Sequence, residues 1–367
     1  MKTSLRWAPW VALGVMLSLW PRDRSNLHDP GLAPLEHGRG RHADSPQDIP
    51  APGWRDIAWR TWREFNDDGI AGVAASVAFF GILALFPGMA AFVSLYGIYA
   101  DVGAAQQHLA ALAGVLPADS LTFIGTEMIR VAATKKASLG ATFGISLLLS
   151  LWSANAGVKA LFAGLNVAYE EKEKRGFFRL NLITLAFTLG TLVFLLLAMT
   201  AMVAAPLVLN FLRLDAGSRF IAALRWPALL VVVIASLSVI YRFGPSREQP
   251  RWRWVTWGGV VAAFGWLAVS LAFSWYVGAF GHYSVTYGSL GAVVGFMTWM
   301  WLTSTVILLG AELNAEMEHQ TVRDSTTGAP LPMGVRGARM ADTVGKATPG
   351  PRQGWLTRFL SPGARRA

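Results

Sequence analysis

The 367-residue chain is 53% hydrophobic and 15% charged, with a mean hydropathy of +0.41 and a formal net charge of +10. A soluble domain carries about 25% charged residues. Here the apolar residues also come in blocks of ~20, the length that crosses ~30 Å of hydrocarbon as a helix. The composition excludes an ordinary soluble enzyme and gives a polytopic membrane protein. The absence of cysteine excludes disulfides, thiolate metal sites and cysteine nucleophiles.

Residues 1–53 read as an extension. Within it WAPWVALGVMLSLW (7–20) is apolar but only 14 residues long, and it is followed by PRDR rather than a small-residue cleavage site. That is too short for a span and lacks the end of a signal peptide. The stretch 21–53 is rich in Pro, Gly and charge and reads as disordered. In 54–66, Trp54, Ile57, Ala58, Trp62 and Phe65 recur at helical spacing between Arg55, Arg60 and Arg63. This is the pattern of an amphipathic helix lying in the membrane interface. Asp67 and Asp68 follow, with Asp68 expected as N-cap of the first span.

The domain 67–319 is expected to be all-α, a bundle of six transmembrane helices at about 71–99, 138–160, 181–210, 221–241, 254–280 and 289–313. The period-2 alternation of a membrane β-barrel is missing. Lys and Arg fix the expected orientation. Of 32, 25 fall in the N-terminal tail, the connections 161–180 and 242–253, and the tail after 313, against six on the opposite side. Positive charge stays cytoplasmic, so both termini are expected inside a bacterial inner membrane, with 100–137 as the longest outside segment. The tail 320–367 reads as disordered, basic and cytoplasmic, with a short motif GWLTRFL that could touch the membrane.

The polar residues within the spans are few. At 100° per residue, Asn155, Lys159, Asn166 and Tyr169 lie within an arc of about 80°, flanked by Ala156, Gly157, Ala160 and Gly164. That face points to the bundle interior. In the last span Thr298, Thr305, Glu312 and His319 recur every seven residues, with Glu316 on the same side. Lys159 and Glu312 are expected at similar depth. They read either as a snorkelling lysine and a carboxylate at the water boundary, or as a pair within the bundle, with Asp67 and Asp68 as the next acidic partners. Glu316-x-x-His319 has the spacing of carboxylate metal sites but no second copy, and reads as a solvated helix end. No metal site, catalytic constellation or cofactor is expected, and no nucleic-acid partner; the lipid bilayer is the expected partner.

Three stretches carry a resemblance: DDGIAGVAASVAFFGILALFP (67–87), WSANAGVKALFAGLNVAYEEKEKRGFF (152–178) and YGSLGAVVGFMTWMWLTSTVILLGAELNAEMEH (287–319). In order and spacing they resemble the signature regions of the YihY/BrkB family, over about residues 54–319. The resemblance implies a six-helix bacterial inner-membrane protein, with transport and resistance to host killing among the roles suggested for the family. It also brings an old ribonuclease label, for which this sequence offers no clustered metal ligands or acid–base pair. Three readings follow. The first is a permease-like transporter with a path along Asn155, Lys159, Asn166, Thr305 and Glu312. The second is a scaffold or envelope-maintenance protein whose polar groups only join helices. The third is an enzyme.

Overall fold

The computed structural model describes residue 36 and residues 38–99, 136–211, 215–280 and 289–348. The apolar segment 7–20, most of 100–137 and the GWLTRFL motif lie outside the described residues. Eight α-helices are described: α1 (Ala51–Asp67), α2 (Ile70–Tyr99), α3 (Lys136–Ala168), α4 (Phe177–Phe211), α5 (Asp215–Phe243), α6 (Trp252–Phe280), α7 (Ser289–Glu318) and the short α8 (Arg339–Asp342). No strand is present among the described residues beyond an isolated bridge between Pro250 and Thr326.

The architecture is all-helical. Helices α2, α3, α4, α6 and α7 are each long and apolar enough to cross a membrane, while the described apolar part of α5, Pro227–Phe243, is shorter. Each of the six long helices packs on its neighbour in sequence, and α7 returns to pack on α2 and α3. Their outward faces carry exposed Leu148, Trp152, Leu182, Val231, Leu271 and Trp275. A helix that is apolar all round has a face for the core and a face for lipid.

The core sits where small residues let helices approach. Gly164 on α3 faces Leu308 of α7 and Val73 of α2. On α6, a Cβ at Gly258 would run into the carbonyl oxygen of Gly310 on α7. Close backbone approach of this kind is how membrane helices gain packing without a hydrophobic driving force between them. Asn314 then locks the crossing: it accepts from Gly258 N at 2.8 Å and donates to Val255 O at 3.1 Å. Phe162, Leu165, Tyr241, Val255, Leu308 and Ala311 fill the space around it.

One end of the bundle is covered by a folded cap, where the sequence reads as disordered on both flanks. Residues 39–50 and 319–348 pack on each other and on α1. Val322 N donates to Arg41 O at 2.7 Å, and Gly345 N donates to His319 O at 2.7 Å. Arg39 donates to both oxygens of Asp56 at 2.6 and 2.7 Å, and Thr348 donates to the same carboxylate from its amide and hydroxyl. Arg336 donates to the carbonyls of Leu331, Val322 and Ala341. Residues 38–50 and 320–348, within the stretches 21–53 and 320–367 that read as disordered, are held in this structure by the bonds above. A compositional argument for disorder assumes that order requires apolar burial. This cap is instead held by buried polar side chains that satisfy backbone groups.

Helix α1 has one buried and one exposed face. It starts at Ala51, and its buried residues are Gly53, Asp56, Ile57, Arg60 and Thr61, whereas Trp62 is 69% exposed. The helix therefore binds the cap and α7 through a polar face. Asp68 does not cap α2. The α1–α2 corner turns at Gly69, φ +61°, whose carbonyl accepts from Gly72 and Val73. The left-handed conformation is open to glycine without a Cβ penalty.

Candidate functional site

The polar residues expected on α3 and α7 divide into two groups. Asn166 is structural: it donates to Glu173 at 3.0 Å and accepts from Ser246 N at 2.7 Å, tying the α3–α4 connection to the segment after α5. Thr298 and Thr305 return their hydroxyls to the carbonyls of Val294 and Trp301 on their own helix. Arg175 holds Glu173 from two nitrogens at 2.7 Å, and these bonds lower that carboxyl to about 2.

The second group is buried without partners. Glu312 is fully buried, and neither of its carboxylate oxygens has a hydrogen-bond partner. The hydroxyl of Tyr169, the Oδ1 of Asn155 and the hydroxyl of Thr303 are likewise buried and unpartnered. The expected ion pair between Lys159 and Glu312 is not formed, and Lys159 is half-buried on α3. The charges acting most strongly on Glu312 are all acidic: Asp68, Glu316, Glu64 and Glu170. Buried polar groups are nearly always satisfied, and Glu312 stands out as the one buried carboxylate among the described residues with both oxygens unpartnered.

The flanking acids differ in how they are compensated. Glu316 is not at a solvated helix end: it is 1% exposed and takes Nε of Arg60. Arg60 also donates to Gln320 at 2.8 Å and to Lys346 O at 2.9 Å, and His319 Nδ1 lies 3.5 Å from the Glu316 carboxylate. Glu318 receives Arg247 at 2.8 and 2.9 Å and Ser325 at 2.8 Å. The Arg247 guanidinium also lies over the Tyr169 ring, 4.0 Å from its centroid. Burial pushes the Tyr169 hydroxyl well above its usual value. Asp68, at the α1–α2 corner, has no such counter-charge. Burial, then Glu64, Glu170, Asp67 and Glu316, push its carboxyl up to about 6. Asp67 is exposed and pairs with Arg63 one turn back at 3.2 Å.

The site is therefore a buried carboxyl on α7 with two acids that no arginine pairs, Asp68 and Glu64, acting on it together with Glu170, which Arg339 holds at 2.5 Å. Sequence reasoning singles out Glu312, Tyr169, Asn155 and Asp68. It misses Thr303, Glu64 and the two buried arginine pairs, because Arg60 reads as the flank of an interfacial helix, Arg247 as a charge of the connection 242–253, and Glu316 with His319 as a solvated helix end. Among the described residues, no three His, Cys, Asp or Glu converge closely enough to hold a metal ion.

Comparison with known proteins places this arrangement. The ribonuclease-like protein YfkH of Bacillus subtilis is 32% identical over 249 residues, covering 66% of this chain and 88% of that protein. UPF0761 membrane proteins of Verminephrobacter eiseniae and of Neisseria meningitidis serogroup B are 27% and 25% identical over 266 and 267 residues. The matched region spans 62% and 63% of their lengths. No solved structure matches. The family described as virulence factor BrkB matches residues 61–332, from the middle of α1 into the cap beyond α7. The chain belongs to the BrkB family of membrane proteins.

Proposed function

We propose that this protein is a permease-like membrane transporter whose path passes between α3 and α7. The observation that supports it is the set of buried, unpartnered polar atoms on Asn155, Tyr169, Thr303 and Glu312. A scaffold uses its polar residues as Asn166 and Asn314 are used here, each bonded across to a neighbour. Leaving such atoms unsatisfied in a packed bundle costs roughly 1–3 kcal/mol each. Ionisable groups within a membrane bundle are functional in the first instance. The protein sits in the bacterial inner membrane with both termini, and hence the cap, in the cytoplasm. The ribonuclease-like name of the Bacillus relative is not carried over to this chain.

The test needs no substrate. The chain has no cysteine, so Asn155→Cys and Thr303→Cys place single thiols on the path. Both should react with a small water-soluble thiosulfonate in membrane vesicles, as should the exposed Glu248→Cys in inverted vesicles. Leu148→Cys, on the outward apolar face, should not. Silence at both path positions while Glu248→Cys reacts would leave a closed bundle and the scaffold reading.

A further inference from the structure

The acids around Glu312 call for a neutralising species. Glu312 receives no hydrogen bond, and the two arginines nearest in the fold are already committed, Arg60 to Glu316 and Arg247 to Glu318. Every group that acts strongly on it from the packed elements is acidic or neutral. Glu64 comes from α1, Asp68 from the α1–α2 corner, Tyr169 and Glu170 from the end of α3, and Glu316 from its own helix; Arg339 of α8, which packs on α7, is taken by Glu170 at 2.5 Å. Tyr241 of α5 gives its hydroxyl to Ile307 O at 2.7 Å, and α6 meets α7 through Gly258 and Val255. An isolated carboxylate in a low-dielectric interior is too costly to persist. A divalent cation held by side chains would need several carboxylates or imidazoles converging on it, and among the described residues no three His, Cys, Asp or Glu do so. A proton needs one.

We infer that Glu312 is a proton-binding site, loaded from solvent at the capped end by way of Asp68 and Glu64. The transfer balances simply: a hydronium gives its proton to the Asp68 carboxylate, which passes it to the Glu312 carboxylate, each donor returning to its basic form. Asp68 suits the relay by position, being half-buried and the charged group that acts most strongly on Glu312, and by its elevated carboxyl, which carries a proton part of the time near neutral pH. Tyr169 adds a second independent pointer. Its hydroxyl is fully buried within reach of the Glu312 charge, on a ring that Arg247 stacks at 4.0 Å. As the coupling-ion site of a transporter, Glu312 rests on the reading above. Its proton can be measured whether or not anything is transported.

Infrared spectroscopy of the purified full chain in liposomes reads that proton directly. Wild type at pH 7 should show the carbonyl stretch of a neutral carboxylic acid, absent in Glu312→Gln and shifting on transfer to D2O. Asp68→Asn should keep the band but slow its shift by on the order of a hundredfold, the low end of what a positioned proton-transfer group contributes. If Glu312→Gln does not fold, wild type answers through a hydrophobic carbodiimide, which labels neutral carboxyls. Mass spectrometry should find Glu312 labelled, and the ion-paired Glu316 and Glu318 unlabelled. No neutral-acid band together with no label on Glu312 overturns the inference. A band that exchanges as fast in Asp68→Asn as in wild type overturns the route. Failure of the transport reading would appear separately, in the cysteine reactivities.

Discussion

Arg247 and Glu318 form a bidentate ion pair at 2.8 and 2.9 Å with both side chains fully buried, joining the segment after α5 to the last turn of α7. Because Arg247 also stacks on Tyr169, the pair fixes the ring that closes the acidic site. Removing one member of such a pair strands the other charge, at roughly 3–5 kcal/mol. Arg247→Met and Glu318→Met should each lower the unfolding temperature in detergent. The double variant should recover much of the loss. Single effects that simply add would mean the two charges are independently solvated.

Asp68 should make stability depend on pH in a defined direction. Its folded-state carboxyl is raised from 3.8 to about 6 by burial and neighbouring acids. A raised carboxyl favours the fold below its unfolded value, and that contribution is lost as pH rises through the folded value. Asp68→Asn should therefore be more stable than wild type above pH 6, by about 1 kcal/mol once its partial exposure is allowed for. The two proteins should converge below about pH 4. Denaturant titrations across that range measure it, and an advantage that persists at low pH would point to a cause other than charge.

The α6–α7 crossing should tolerate no side chain. At Gly310 a Cβ would lie 2.6 Å from the Tyr241 hydroxyl and 2.7 Å from Gly258 O. Gly310→Ala should cost about 1–3 kcal/mol by overpacking, and it should disturb the bond from Tyr241 to Ile307. By contrast Gly72→Ala, where no atom lies within 4 Å, should be neutral or slightly stabilising, since alanine is the better helix former. Thermal melts of the two variants distinguish a crossing from generic glycine loss.

Orientation is testable with impermeant maleimide on single cysteines in this cysteine-free chain. Thiols at Ser120 and Asp215 should label from outside intact cells, and one at Glu248, beside the cap, should not. The reverse pattern would put the cap and the acidic entrance on the outer face.

Much of this protein follows from one-dimensional pattern. Apolar blocks of membrane length fix helices, because the backbone in lipid has no other partner than itself, and α2, α3, α4, α6 and α7 appear where those blocks lie. The arc of Asn155, Lys159, Asn166 and Tyr169 follows from helical geometry alone, as does the seven-residue spacing through Glu312. The partner of each polar group did not follow. Lys159 and Glu312 are expected at one depth from the helix lengths, yet Glu312 faces other acids, and Arg60 and Arg247 are taken by Glu316 and Glu318. Those pairs join residues 256 and 71 positions apart, and spacing along one helix carries no information about which distant helix turns toward it. The cap was hidden for a related reason. Its order comes from arginine, threonine and aspartate side chains binding backbone groups of far-off segments, a source of stability that composition reads as solubility. Periodicity along the chain is enough to place the helices and their inward faces, whereas the pairing of Arg60 with Glu316 and of Arg247 with Glu318, and the unpartnered state of Glu312, arise from packing between distant helices.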